Sequence, residues 1–113
     1  MSNPDVHNLK AIADRLALQA QTEQIRVSAH AHQEMVEECI LLDDVLSVLK
    51  RASVIENYPD HQRGPCCLAY GQGVNGNDIH VVCTTSLELA IIITVYEPRP
   101  PKWTSPFTRR KTQ

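Results

Sequence analysis

Aromatic side chains are scarce, at 4% of 113 residues, so any core must be mainly aliphatic. No apolar run approaches the roughly 18 to 20 residues that a membrane-spanning helix needs. The first ten residues are polar and include Pro4 and Asp5, which does not read as an export signal. A cytoplasmic location and no membrane partner are therefore the expectation. No paired-ligand spacing such as CxxC or HExxH occurs, so neither a metal nor another cofactor is expected. His30 and Glu34 have helical ligand spacing, with His32, His61, His80 and Cys83 available elsewhere, but no motif joins them. Gly71, Gly73 and Gly76 lack the lysine and following helix of a phosphate-binding loop. The four cysteines, Cys39, Cys66, Cys67 and Cys83, read as reduced thiols, mostly small buried hydrophobes.

Strong net charge is also missing. The total is −2, but it is unevenly placed. Residues 1–60 carry five basic and ten acidic side chains, and residues 61–113 carry six and three. Five cations and no carboxylate follow Glu97, namely Arg99, Lys102, Arg109, Arg110 and Lys111, with Trp103 and Phe107 interleaved. This is a modest basic tail, suited to holding RNA phosphates and stacking on bases, and not the footprint of a strongly basic nucleic-acid binder.

The chain is long enough for one core. Residues 1–8 read as disordered, residues 9–105 as one domain and residues 106–113 as a basic tail. Leu9 to Gln21 has helical spacing, with Leu9, Ile12, Ala13, Leu16 and Ala20 on a stripe and Asn8 as cap. Ile25 and Val27 form a lead-in, either a brief strand or a hydrophobic staple. A helix from about Ala29 to Glu38 follows, with Ser28 as cap, and then one from Asp44 to Arg51. From Ala52 the period changes to that of strands: Val54 to Tyr58, Cys66 to Gly71, Ile79 to Thr84 and Leu89 to Tyr96. An Asn75-Gly76 turn joins the second and third, and Pro98, Pro100 and Pro101 end the last. The expected class is α+β: N-terminal helices packed on a twisted antiparallel sheet of about four strands.

The second helix holds most of the chemistry. His30, Glu34 and Glu37 share a helical face, so His30 is the candidate general acid or base, with Glu34 or Glu37 to orient it. A rival stripe of Ala29, His32, Val36, Cys39 and Ile40 would instead set His32 beside the core. On the strand from Ile79, His80 faces away from Ile79, Val81 and Cys83. It points towards a groove with the second helix, and Tyr96 ends the neighbouring strand.

Four ordered motifs carry a resemblance: His30-Ala31-x-x-Glu34-Met35, Val54-Ile55-x-x-Tyr58-Pro59, Ile79-His80-Val81-Val82, and Ile92 to Pro98 followed by Trp103. The chain resembles a prokaryotic domain-of-unknown-function family placed among RelE-like and BrnT-like toxins, over about residues 25–105. The resemblance implies the α+β fold of barnase-like, colicin-nuclease-like and RelE-like ribonucleases. It also implies the toxin of a toxin–antitoxin pair, cleaving RNA (free or on the ribosome) without a metal, and a small zinc-finger-type antitoxin as partner. His30, His80 and Tyr96 are its matched polar residues, and Trp103 its matched aromatic. Glu34 and Glu38 stand where many relatives carry arginine. The alternative function is a non-catalytic protein-binding or regulatory module of the same fold.

Overall fold

The computed structural model describes residues 4–109. Three helices come first: α1 (Leu9–Gln21), α2 (Ala29–Glu38) and α3 (Leu42–Lys50), with β1 (Ile25–Val27) between α1 and α2. The strands β2 (Ser53–Tyr58), β3 (Cys66–Gln72), β4 (Asp78–Thr84) and β5 (Ala90–Tyr96) follow, and then β6 (Trp103–Ser105) and β7 (Thr108–Arg109).

The class is α+β, and the main sheet has five strands rather than about four, in the order β1-β5-β4-β3-β2. The extra strand is the Ile25–Val27 lead-in. It pairs parallel with the start of β5, Ile25 opposite Ala90 and Val27 opposite Ile92, so the sheet is mixed. The other pairings are antiparallel. The C-terminal segment begins as a hairpin, with Trp103 opposite Arg109 and Ser105 opposite Thr108. Arg110 and Lys111 lie outside the described residues.

Strand alternation divides the sheet into two faces. Cys67, Ala69, Ile79, Val81 and Cys83 point to the helices, where they meet Ile12 and Leu16 of α1 and Val45, Val48 and Leu49 of α3. On β5 the core residues are Ala90, Ile92 and Val95, a break in the two-residue period. The register shift between Val82 and Cys83 accounts for it: Thr94 pairs with Val82 and Ile92 with Cys83, leaving Ile93 as the extra residue.

Asp44, in the first turn of α3, is buried and fully used. Its Oδ2 accepts from the Leu41 N–H, which caps the helix from within, and its Oδ1 accepts from the Val74 N–H after β3. Cys67 and Cys83 sit opposite each other on the core face, all four cysteines are free, and Cys39 alone is exposed. Hydrogen bonding with Cys67, then burial, holds the Cys83 thiol well above the usual thiol range. Burial likewise raises Cys66, so both stay protonated.

Helix α3 lies so close to β3 that Gly71 has no room for a side chain. A Cβ there would be 2.9 Å from the Val48 Cα and 3.1 Å from its carbonyl oxygen, both backbone atoms that cannot swing aside. Gly71→Ala is expected to destabilise the protein by about 1–3 kcal/mol, the usual cost of overpacking. Urea unfolding should show a lower midpoint at unchanged slope. A midpoint equal to that of the unsubstituted protein would refute the close approach.

Candidate active site

The inward stripe of α2 is Ala31 and Met35, flanked by Glu34 and Glu38. His30 and His32 are both exposed, as are Ala29, Val36 and Cys39. The stripe that would have set His32 beside the core therefore faces outward, and only Ile40 of that set is buried. The cause is the edge of β5. Strand β1 ends at Val27, so the backbone groups of β5 beyond Ile92 lose their strand neighbour.

Side chains of α2 and its cap take that place. The Ser28 N–H donates to the Ile92 carbonyl at 3.0 Å, and its hydroxyl donates to the Ile93 carbonyl at 3.3 Å. The same hydroxyl oxygen accepts from Ala31 N–H, which starts the helix. Glu34 accepts from the Val95 N–H at 3.0 Å, and Glu38 from the Glu97 N–H at 3.3 Å. The spacing fits because four helical residues advance about 6 Å and two strand residues about 6.6–6.8 Å. Two carboxylates thus do the work of an absent strand.

His30 stands at the head of this row. Its Nε2 is 3.4 Å from Glu34 Oε1, and its side chain is 68% exposed. Glu37, the other candidate to orient it, instead accepts from Gln33 at 3.2 Å. Arg99 is held by two carboxylates, Glu38 at 2.8 Å and Glu97 at 2.6 Å. Lys102 places its Nζ 6.0 Å above the Tyr96 ring.

The sheet's second face carries a different cluster. Tyr70, His80 and Tyr96 are in register across β3, β4 and β5, and the β6–β7 hairpin segment brings Trp103 and Phe107 over them. Four of the chain's five aromatic residues gather here around one histidine. His80 is fully buried. It does not face a groove with α2, because the sheet lies between it and the core on which α2 seats Ala31 and Met35. Trp103 is 2% exposed and meets the imidazole edge-on at 4.3 Å between centroids. It is wall material for His80 and offers no open platform on which a base could stack.

Both nitrogens of His80 are engaged. Nε2 is 2.6 Å from the Pro106 carbonyl oxygen, which can only accept, so the proton resides on Nε2. In the neutral ring Nδ1 is then an acceptor, and the Tyr96 hydroxyl donates to it at 3.1 Å. Tyr96 itself is half-buried. Its phenol therefore rests on a base of fixed tautomer and orientation. Tyr70 differs: its hydroxyl donates to Asp78 at 2.5 Å, which holds its proton above the usual phenol range.

The structure thus brings Tyr96 and His80 together, and His30 and Glu34 together. Arg99 and Lys102 lie on the strand exit between Tyr96 and the hairpin. Arg109 lies in β7, and Arg110 is outside the described residues. Among the described residues no group of three or more His, Cys, Asp or Glu side chains converges on a space for a metal ion. No helix among them is long and apolar enough to cross a membrane.

The family model of a domain of unknown function, DUF4258, matches residues 27–97, more than half of the chain. The chain belongs to the DUF4258 family. Comparison with curated proteins and with solved structures gave no match. The DUF4258 segment opens at the end of β1 and closes just after β5, so it contains α2, α3 and β2 to β5. His30, Glu34, Glu38, His80 and Tyr96 all lie inside it. Helix α1, Arg99, Lys102 and the hairpin that roofs His80 lie outside, so this DUF4258 chain completes its histidine pocket with residues beyond the domain.

Proposed function

We propose that this DUF4258 protein is the toxin-like member of a toxin–antitoxin pair, a cytoplasmic ribonuclease of RelE-like fold that cleaves RNA by general acid–base chemistry without a metal. The observation that best supports the reading is the Tyr96–His80 pair, a phenol hydrogen-bonded to an oriented imidazole, with Lys102 over the phenol ring. The Tyr96 oxygen takes the proton of a ribose 2′-hydroxyl as its own proton passes to His80 Nδ1. The 2′-oxygen attacks phosphorus, the bond to the 5′-oxygen breaks, and His30, beside Glu34, acts as the general acid that gives the leaving oxygen its proton. Arg99 and Lys102 neutralise the phosphate. Trp103 acts as a positioning residue for His80. The partner in the pair is a small zinc-finger-type antitoxin.

Expression of the chain without a partner tests this directly. Growth arrest with RNA degradation is expected, and His30→Ala should slow cleavage by the purified protein at least about 10²-fold. Cleavage unchanged by His30→Ala removes His30 from the mechanism. Healthy growth with intact RNA removes the ribonuclease altogether and leaves a non-catalytic protein-binding or regulatory module. One observation favours that second reading: Arg99 already spends its guanidinium on Glu38 and Glu97.

A further inference from the structure

The row of the sheet that holds Tyr96 and His80 continues past them. His80 pairs with Tyr70 of β3, and Tyr70 with Ser53, the first residue of β2. Tyr96, His80, Tyr70 and Ser53 are thus in register across four strands. Ser53 is three inter-strand steps from Tyr96, about 14 Å. Because β2 starts at Ser53, Gly71 and Gln72 of β3 have no strand partner on that side. A depression of about 330 Å³ opens there, at the C-terminal end of α3. Tyr70 and Ser53 line it, together with Arg51, the residue that follows α3.

The lining contains one cation and no carboxylate. Arg51 is exposed, and among the described residues it is in no ion pair. Ser53 is exposed as well. The carboxylates nearby are occupied and stay out of the lining. Asp78 and Glu56, on the same face, accept from the hydroxyls of Tyr70 and Tyr58. Asp44, beneath Gly73, is buried with both oxygens in use. An unpaired guanidinium beside a serine hydroxyl suits a phosphate, which accepts from both. Tyr70 joins this depression to the aromatic cluster. Phe107 meets its ring edge-on at 4.6 Å and is still 60% exposed. Unlike Trp103, Phe107 therefore offers a surface on which a base can stack.

The geometry points to a second RNA subsite on this face: Arg51 and Ser53 hold a phosphate further along the strand than the one being cut, and Phe107, seated over Tyr70, stacks on a base between the two. The inference rests on the ribonuclease reading for its substrate, but binding can be read without cleavage. The probe is a fluorescent single-stranded RNA of about six nucleotides, with every 2′-oxygen methylated so that it cannot be cut, beside a dinucleotide of the same kind. Binding to the full chain is followed by anisotropy, and cleavage of unmodified RNA is measured alongside. The longer RNA should bind at least about tenfold more tightly than the dinucleotide, which is too short to reach Arg51. Arg51→Gln should remove most of that gain and lower the slope of log Kd against log salt by about 0.7, the share of one phosphate contact on a single strand. Ser53→Asp, which sets a carboxylate in the depression, should weaken binding at least as much, and Phe107→Ala by about tenfold. Arg51 and Ser53 are exposed, so both variants should keep the thermal midpoint. If both bind the longer RNA as tightly as the unsubstituted chain, the subsite is overturned, and cleavage of unmodified RNA keeps the ribonuclease reading. Equal affinity for the two RNAs, or no saturable binding, also overturns the subsite. If the longer RNA binds through Arg51 while unmodified RNA stays intact, the ribonuclease reading fails and the phosphate site stands.

Discussion

Tyr96→Phe is expected to slow RNA cleavage by the purified protein about 10²–10⁴-fold, the range over which a positioned proton-transfer group contributes. The loss should fall on kcat with KM nearly unchanged, because the phenol is asked to act on the 2′-hydroxyl proton in the transition state and not to hold the phosphate. The substitution also strands His80 Nδ1 in a fully buried site, and an unpaired buried acceptor costs about 1–3 kcal/mol. The thermal midpoint should therefore drop while the protein stays folded at 25 °C, because that cost is a fraction of an ordinary domain's stability of about 5–15 kcal/mol. Trp103→Phe separates the two effects. It loosens the wall beside His80 and lowers stability, but keeps the hydroxyl, so its loss of kcat should be much smaller than that of Tyr96→Phe. If Tyr96→Phe cleaves RNA at the unsubstituted rate, the Tyr96–His80 pair is only a structural contact.

How much of this arrangement could be read from the sequence depends on how local each cause is. Caps and helical stripes are local: Asn8 and Ser28 cap α1 and α2 as expected, and the buried residues Ile12, Leu16 and Ala20 fall on the anticipated stripe of α1. The meander from β2 to β5 was legible from alternation and from the Asn-Gly turn. The residues that escaped are those whose partner is distant in sequence. The Ile25–Val27 lead-in could be read as a brief strand or a staple, but the strand it joins could not, because its parallel pairing is defined by Ala90 to Ile92, more than sixty positions away. The second-face cluster depends on a hairpin that returns Trp103 and Phe107 over His80. Sequence alternation placed His80 opposite Ile79, Val81 and Cys83, but nothing local indicated that a roof, not α2, would cover it. One signal was available: a chain with few aromatics has two of them just after its last long strand, which argues for a packed lid over a free tail.

The carboxylates of α2 are the sharpest case of a distant cause, and they carry the other large expectation. In the resemblance to RelE-like and BrnT-like toxins, Glu34 and Glu38 stand where many relatives carry arginine. In the fold they close the exposed edge of β5, by accepting from Val95 and Glu97. Only Ala31 and Met35 of α2 are buried, a thin apolar anchor for ten residues. Glu34→Ala and Glu38→Ala should each cost about 1–3 kcal/mol, since each leaves a partly buried N–H without its acceptor. Together they should loosen α2 from the sheet, seen as faster amide exchange at Val95 and Glu97 and a lower unfolding midpoint. The charge is not what the edge requires, so Glu34→Gln with Glu38→Gln, whose amide oxygens accept in the same place, should recover most of the stability. If the glutamine pair is as damaged as the alanine pair, the carboxylates act through charge on His30 and Arg99 and the strand-like role is wrong. The same pair bears on activity. Freed from Glu38, Arg99 keeps only Glu97 as counter-charge, so Glu38→Gln should strengthen RNA binding in filter-retention assays at low salt, and the gain should fade as salt rises.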